Sequence, residues 1–264
     1  MDQMPYPGLL NRVLSRAPVV ASAALGALAL VFAGQHPLLS LALLALSALA
    51  VLPPLVARAR FRRILLSGDV ERVVAIWRRS VRGATYADAV EPLMAAIAFA
   101  AYGWVDEARA NLMRARLRPE SQVAEEHCLF VEALVEAFDG DRADAMQKAN
   151  ALTLLPIPNV GARLQRRVLL LRASLAALTR AFAHAARSGD QELLEQAARS
   201  SPLVSWAMRY AAAIIAIDHH EPLRARTLIA NAPVWPEQSA FQAFHRELQQ
   251  RLEPPPSDAS SSVQ

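Results

Sequence analysis

Two uncharged apolar runs constrain this chain more than any other feature. Ala17 to Ala33 reads APVVASAALGALALVFA, and Leu38 to Ala57 reads LLSLALLALSALAVLPPLVA. Only Gly34, Gln35, His36 and Pro37 separate them. A helix needs about 20 residues to cross the ~30 Å hydrocarbon core of a bilayer, so each run has roughly the length of one crossing. Gly and Pro together at the break exclude one continuous helix. The expected element is a transmembrane helical hairpin over residues 17–57, in contact with membrane lipid, preceded by a cytoplasmic segment, residues 1–16.

Arg12 and Arg16 precede the first run, Arg58, Arg60, Arg62 and Arg63 follow the second, and the connecting turn has no Lys or Arg. Basic residues stay on the cytoplasmic side, which places both termini in the cytoplasm and, in a bacterium, the hairpin in the inner membrane. Arg12 and Arg16 ahead of an apolar run ending in Val31-Phe32-Ala33 also fit a cleaved signal peptide. The second run with its own basic flank favours the hairpin. In the first span Ser22, Gly26, Ala29 and Ala33 form a small-residue packing face, suited to the hairpin's own partner helix or to another membrane protein. Pro53-Pro54 is expected to kink the second span before the Arg cluster. Neither run holds an ionisable residue, which argues against an ion or proton path.

The net charge of +4 divides unevenly. Residues 1–63 supply +5, six Arg against Asp2, so the rest of the chain carries −1. The basic character belongs to the membrane flanks, and no nucleic-acid partner is expected for the remainder. The single cysteine, Cys128, excludes an intrachain disulfide and a multi-cysteine zinc site. Gly is scarce, with 9 in 264 residues, and Ala, Leu, Arg and Glu predominate, so the fold expected is all-α.

Beyond Arg58 the chain repeats. Gly103 is followed by Ala108, Ala115 and Pro119 at five, twelve and sixteen residues, with Ala96 seven before. Gly140 is followed at the same offsets by Ala145, Leu152 and Pro156, with Ala133 before it, and His220 by Ala225, Ala232 and Pro236, with Ala213 before it. Gly68 and Gly189 anchor two weaker copies. Small residues let paired helices approach, and Gly supplies the turn.

This pattern resembles the tetratricopeptide repeat (TPR) family, whose unit is a helix, a turn and a second helix. The resemblance implies a degenerate TPR-like α-solenoid over residues 58–252, and His220 stands where that family favours Gly. It further implies a concave groove, lined here by Val90, Leu93 and Ile97, then His127, Phe130 and Leu134, then Tyr210, Ile214 and Ile217. These residues either grip a partner peptide or helix or serve as core in a closed array.

Residues 162–187 read as one long helix with Leu164, Val168, Leu171, Leu175, Leu178 and Phe182 on one face, six Arg and no acid. Such a helix either pairs its Arg with Glu192 and Glu195 on the next helix or lies on anionic lipid. The Pro/Ser-rich tail, residues 253–264, is expected to be disordered.

Catalytic signatures are missing from the sequence. Asp218-His219-His220-Glu221 gathers four possible ligands but has no second cluster at metal spacing, and His127-Cys128 does not converge. There is no phosphate loop and no nucleophile elbow. No enzyme activity, cofactor or metal is expected. The spans and repeats together point to a membrane-anchored scaffold or adaptor for other proteins. The alternative is an integral subunit of a membrane transport or secretion assembly.

Overall fold

Backbone conformation at a handful of residues decides where helices fold back on one another. The computed structural model describes residues 37–81, 87–117 and 125–253, and the chain divides into two compact units, Met1–Arg63 and Ile64–Gln264. Among the described residues there are eleven α-helices, one 3-10 turn and no strand.

Helix α1 spans Pro37–Leu66, 30 residues. The helix runs on through Pro53-Pro54, where a kink is expected, and carries Arg58, Arg60, Arg62 and Arg63. The two prolines lack the N–H groups that would bond the preceding turn, but the turns on either side remain helical. In the first unit, Leu38, Leu41, Leu44, Leu46, Leu49 and Leu52 are each 50–85% exposed. At 100° per residue they span an arc of about 200°, wider than the stripe of an ordinary amphipathic helix. Among the described residues, which omit the side chains at positions 37, 39, 43, 50, 51 and 54, no helix is long and apolar enough to cross a membrane. The first expected span, 17–33, with Ser22, Gly26, Ala29 and Ala33, lies outside the described residues, as does the tail from 254 onward.

The second unit is built of helix pairs. Its helices are α2 (Val70–Val81), α3 (Ala87–Ala101), α4 (Val105–Arg116), α5 (Glu125–Asp139), α6 (Arg142–Leu154), α7 (Ala162–Phe182), α8 (Asp190–Ser200), α9 (Ser205–Asp218), α10 (Pro222–Ile229) and α11 (Ala240–Leu252). The five repeat anchors sit in the five turns that join consecutive helices, from the end of α1 to α2, then α3–α4, α5–α6, α7–α8 and α9–α10. Each has a left-handed backbone: φ is 79° at Gly68, 74° at Gly103, 101° at Gly140, 88° at Gly189 and 59° at His220. Glycine adopts this conformation without the Cβ clash that an L side chain meets, hence its recurrence there.

The small residues explain the pairing. Ala96, Ala108, Ala133, Ala145, Ala213 and Ala225 are all fully buried, where a methyl group lets two helix backbones come close. Val73 and Leu194 take the same position after Gly68 and Gly189 and are buried as well. The first helices of successive pairs pack on one another, α3 on α5, α5 on α7 and α7 on α9. The second helix of each pair also packs on the first of the next, α4 on α5, α6 on α7 and α8 on α9. This is the nearest-neighbour stacking of a helical repeat array.

The long helix expected over residues 162–187 ends earlier, at Phe182. His184 takes φ 52°, and the amides of His184 and Ala185 bond back to the carbonyls of Ala181 and Arg180. A left-handed residue thus closes the helix as Gly commonly does, in a stretch with neither Gly nor Pro to signal it.

Candidate interaction surfaces

The residues expected to line a groove divide by depth. Ile97, Phe130, Leu134 and Tyr210 are buried, Leu93, Ile214 and Ile217 are half-buried, and Val90 and His127 are exposed. Tyr210, one of the buried members, packs against a segment that sequence reasoning did not connect to it, the stretch from Asn231 to Leu252.

That segment is clamped by backbone and side-chain bonds to distant turns. The Ser239 hydroxyl donates to the Tyr102 carbonyl at 2.7 Å, and the Ala240 amide donates to the Gly103 carbonyl at 2.8 Å. Ser239 also caps α11 by accepting from the Phe241 amide at 3.2 Å. Phe241, fully buried, packs with ring centroids 4.9 Å from Trp235, 5.1 Å from Tyr210 and 5.2 Å from Phe138. Phe182 and Phe244 extend the cluster, 5.1 Å apart. Fully burying one such ring contributes about 2–3 kcal/mol, and edge-to-face pairing adds to that.

Polar groups inside the cluster find partners. Trp235 Nε1 donates to the Tyr210 hydroxyl at 2.6 Å, so the tyrosine proton is available for His245 Nδ1, 3.1 Å away. Burial pushes the Tyr210 hydroxyl pKa up despite the Trp235 donor, and burial holds the His245 imidazole below its ordinary value. Both directions favour neutral groups, as an acceptor imidazole requires. Tyr102 donates to the Leu65 carbonyl at 2.6 Å and Trp206 Nε1 to the Leu66 carbonyl at 3.0 Å. These two bonds satisfy carbonyls left open at the end of α1.

The ionic contacts differ from those expected. Glu192 and Glu195 pair with Arg224 of α10, not with α7. In α7, Arg172 bonds Glu126 and the carbonyls of Leu155 and Pro156. Arg180 forms a two-point bond with Asp190 at 2.9 and 2.6 Å. No pattern local to α7 could have shown these partners, because Glu126 lies on α5.

The possible ligands near the α9–α10 turn are drawn into other contacts. Asp218 accepts from or pairs with His184 Nδ1 at 2.9 Å, and Glu221 bonds Arg224 at 3.3 Å. Among the described residues no three His, Cys, Asp or Glu side chains are placed to hold a metal ion. Cys128 is buried and free, while its neighbour His127 points to solvent.

Comparison with known proteins finds no family model, no curated protein and no solved structure that matches the chain. The fold itself therefore carries the reading: an all-α protein of packed helix pairs, compatible with a helical repeat array.

Proposed function

We propose that this chain is a membrane-anchored, non-enzymatic interaction protein, whose TPR-like helix pairs form a platform for other proteins. The observation that carries the reading is α1, a 30-residue helix whose Leu38, Leu41, Leu44, Leu46, Leu49 and Leu52 are exposed over an arc of about 200°. So broad an exposed apolar surface is stable when lipid or protein covers it, not water. The sequence from Leu38 to Ala57 holds no charge, and the Arg cluster follows at once, as at the cytoplasmic end of a span. With the apolar run before Gly34 this supports a hairpin, with both termini and the helix-pair domain in the cytoplasm.

Because Phe241 and Trp235 occupy the inner face beside Tyr210, partner recognition is proposed at the exposed residues of the first helices, Val90 and His127, and not at the buried ones. The test is a mild-detergent capture of the full chain with mass spectrometry, beside a Val90→Glu, His127→Glu variant and a version with residues 17–57 replaced by an unrelated hairpin. A partner lost only in the double variant supports the platform. A partner kept there but lost on hairpin replacement moves the function into the membrane, as in an integral subunit of a transport or secretion assembly. Anchoring has its own test. A Cys at position 36 should react with an impermeant reagent in intact cells and one at 260 should not. The reverse pattern sinks the topology.

A further inference from the structure

We propose that the first two turns of α7, together with the loop before them, are a docking surface for anionic lipid headgroups. The proposal goes beyond the anchoring reading and does not rest on it.

From Ala145 to Gly189 the sequence has no Asp or Glu, yet it carries one Lys and six Arg. The fold pairs three of these seven charges: Lys148 with Asp144 at 2.6 Å, Arg172 with Glu126 at 3.0 Å and Arg180 with Asp190 at 2.6 Å. The Arg187 amide also donates to Asp190. Arg163, Arg166 and Arg167 are exposed, and among the described residues they have no ion pair. At 100° per residue the three fall within one arc of about 100°.

Their position works against the helix they belong to. The first turn of α7 contains no acid, and its N-cap, Gly161, makes no side-chain capping bond. Cations in the opening turns meet the positive end of the helix dipole. An arriving phosphate would relieve both the mutual repulsion of the Arg and that clash.

Apolar side chains flank the same arc. Leu164 is 50% exposed on one side and Leu169 is 45% exposed on the other, and Ile157 and Leu154 in the preceding segment are 48% and 85% exposed. Arg beside exposed Leu matches the boundary between headgroups and acyl chains, where Leu enters and the guanidinium stays with phosphate. A soluble polyanion would match the Arg alone and leave the leucines uncovered. Charge complementarity and apolar exposure together therefore select a bilayer surface.

The experiment uses the full chain with Leu164→Cys carrying an environment-sensitive fluorophore, and Leu223→Cys on α10 as the reference site. The unsubstituted chain controls for Cys128, which is buried. The protein is reconstituted into vesicles of phosphatidylcholine alone or mixed with phosphatidylglycerol, each with spin-labelled lipid as quencher. Quenching is expected at position 164 in the phosphatidylglycerol vesicles only, absent at 223 and weakened by salt. Arg163→Gln, Arg166→Gln and Arg167→Gln together should weaken lipid contact on the order of a hundredfold, since each basic residue near the surface is worth about 1 kcal/mol. Unchanged helicity of that variant shows that the fold is kept. Equal quenching without phosphatidylglycerol, or quenching that survives the triple substitution, overturns the proposal. So does stronger protection of the label by RNA in solution than by phosphatidylglycerol vesicles. Flotation with phosphatidylcholine vesicles reports anchoring separately, so the two readings can fail independently.

Discussion

Leucine is handled in two ways in this molecule. In α1 Leu38, Leu41, Leu44, Leu46, Leu49 and Leu52 stand exposed, whereas Leu134, Leu152, Leu175, Leu178 and Leu194 in the helix-pair unit are at most 1% exposed. The residue type is the same, so hydrophobicity alone does not account for the difference. In the second unit large side chains share the buried core with small ones at the helix pairs, such as Ala96, Ala133 and Ala213. In α1 the exposed leucines form one broad arc of about 200°. A pattern of large and small at fixed offsets from a turn builds a core, and a broad exposed apolar surface asks for a surrounding that is itself apolar.

Placing the same charge in both regions tests that contrast most severely. Leu134→Arg buries an unpaired cation in a fully enclosed site, and the helix-pair unit should lose its cooperative unfolding transition, an effect beyond about 4 kcal/mol. Leu46→Arg sits on an exposed position. It should leave the thermal transition of the helix-pair unit within about 0.5 kcal/mol. It should also reduce membrane retention after an alkaline wash, since a central Arg raises the insertion cost by about 2.5–3.5 kcal/mol. Equal loss of folding from both substitutions would erase the distinction.

Acid should act on the helix-pair unit and leave the apolar run of α1 alone, because residues 38–57 have nothing to titrate. Burial raises the Asp190 pKa, but the bonds from Arg180 and the Arg187 amide outweigh it, and the net shift is downward. A carboxyl with a lowered folded pKa adds stability above its ordinary value and loses it as pH falls through the folded value. Asp190→Asn should therefore cost about 3 kcal/mol at neutral pH, since Arg180 is left in a largely buried site without its partner. The same substitution should flatten the decline in stability below the ordinary carboxylate range. His245 acts earlier in an acid titration. Its folded pKa is lowered by burial, so the unfolded chain takes up the proton first and stability begins to fall as pH drops below about 6.5. Urea midpoints across a pH series check both steps.

Those residues also mark what could be read in the sequence. The five turns were legible because a left-handed backbone strongly selects Gly, and because small residues at fixed offsets record helix crossings. Both are local signals, and Gly68, Gly103, Gly140 and Gly189 carry them without reference to the rest of the chain. The Asp190 partnership was not legible, since Glu192 and Glu195 two and five residues on are equally plausible partners for α7. Nor was the filling of the inner face by Trp235 and Phe241. Ser239 bonds Tyr102 across 137 positions, and no periodicity in either segment encodes that distance.

Two glycines sharpen the contrast within the helix-pair unit. A Cβ at Gly103 would lie 3.1 Å from Phe241 Cδ1 and 3.2 Å from Ser239 Oγ, whereas at Gly140 nothing lies within 4 Å. Both have positive φ, so Gly→Ala costs about 1–2 kcal/mol in backbone strain at each. Gly103→Ala should cost about 1 kcal/mol more, because overpacking displaces the ring and the capping hydroxyl. The excess should vanish when Phe241→Ala is already present, while the cost of Gly140→Ala should stay the same. A double-mutant cycle on thermal denaturation reads this directly. Equal costs for the two glycines would mean that the Ser239–Phe241 clamp tolerates displacement and does not fix the α3–α4 turn.

The smallest effect belongs to the one anchor that is not glycine. His220 holds φ 59°, is exposed, and closes the α9–α10 turn at the position where the other four pairs use Gly. His220→Gly removes the left-handed strain of about 1–2 kcal/mol, while added freedom in the unfolded chain takes back about 0.4–1 kcal/mol. The net should be a gain of up to about 1 kcal/mol, read as a small rise in the urea midpoint with unchanged slope. His184 also has positive φ, but its imidazole is engaged with Asp218 at 2.9 Å. His184→Gly therefore loses a contact along with the strain and should gain less. A destabilised His220→Gly variant would mean that the imidazole has an energetic role at the turn beyond tolerating its backbone, and the repeat would then be irregular there for a reason other than drift.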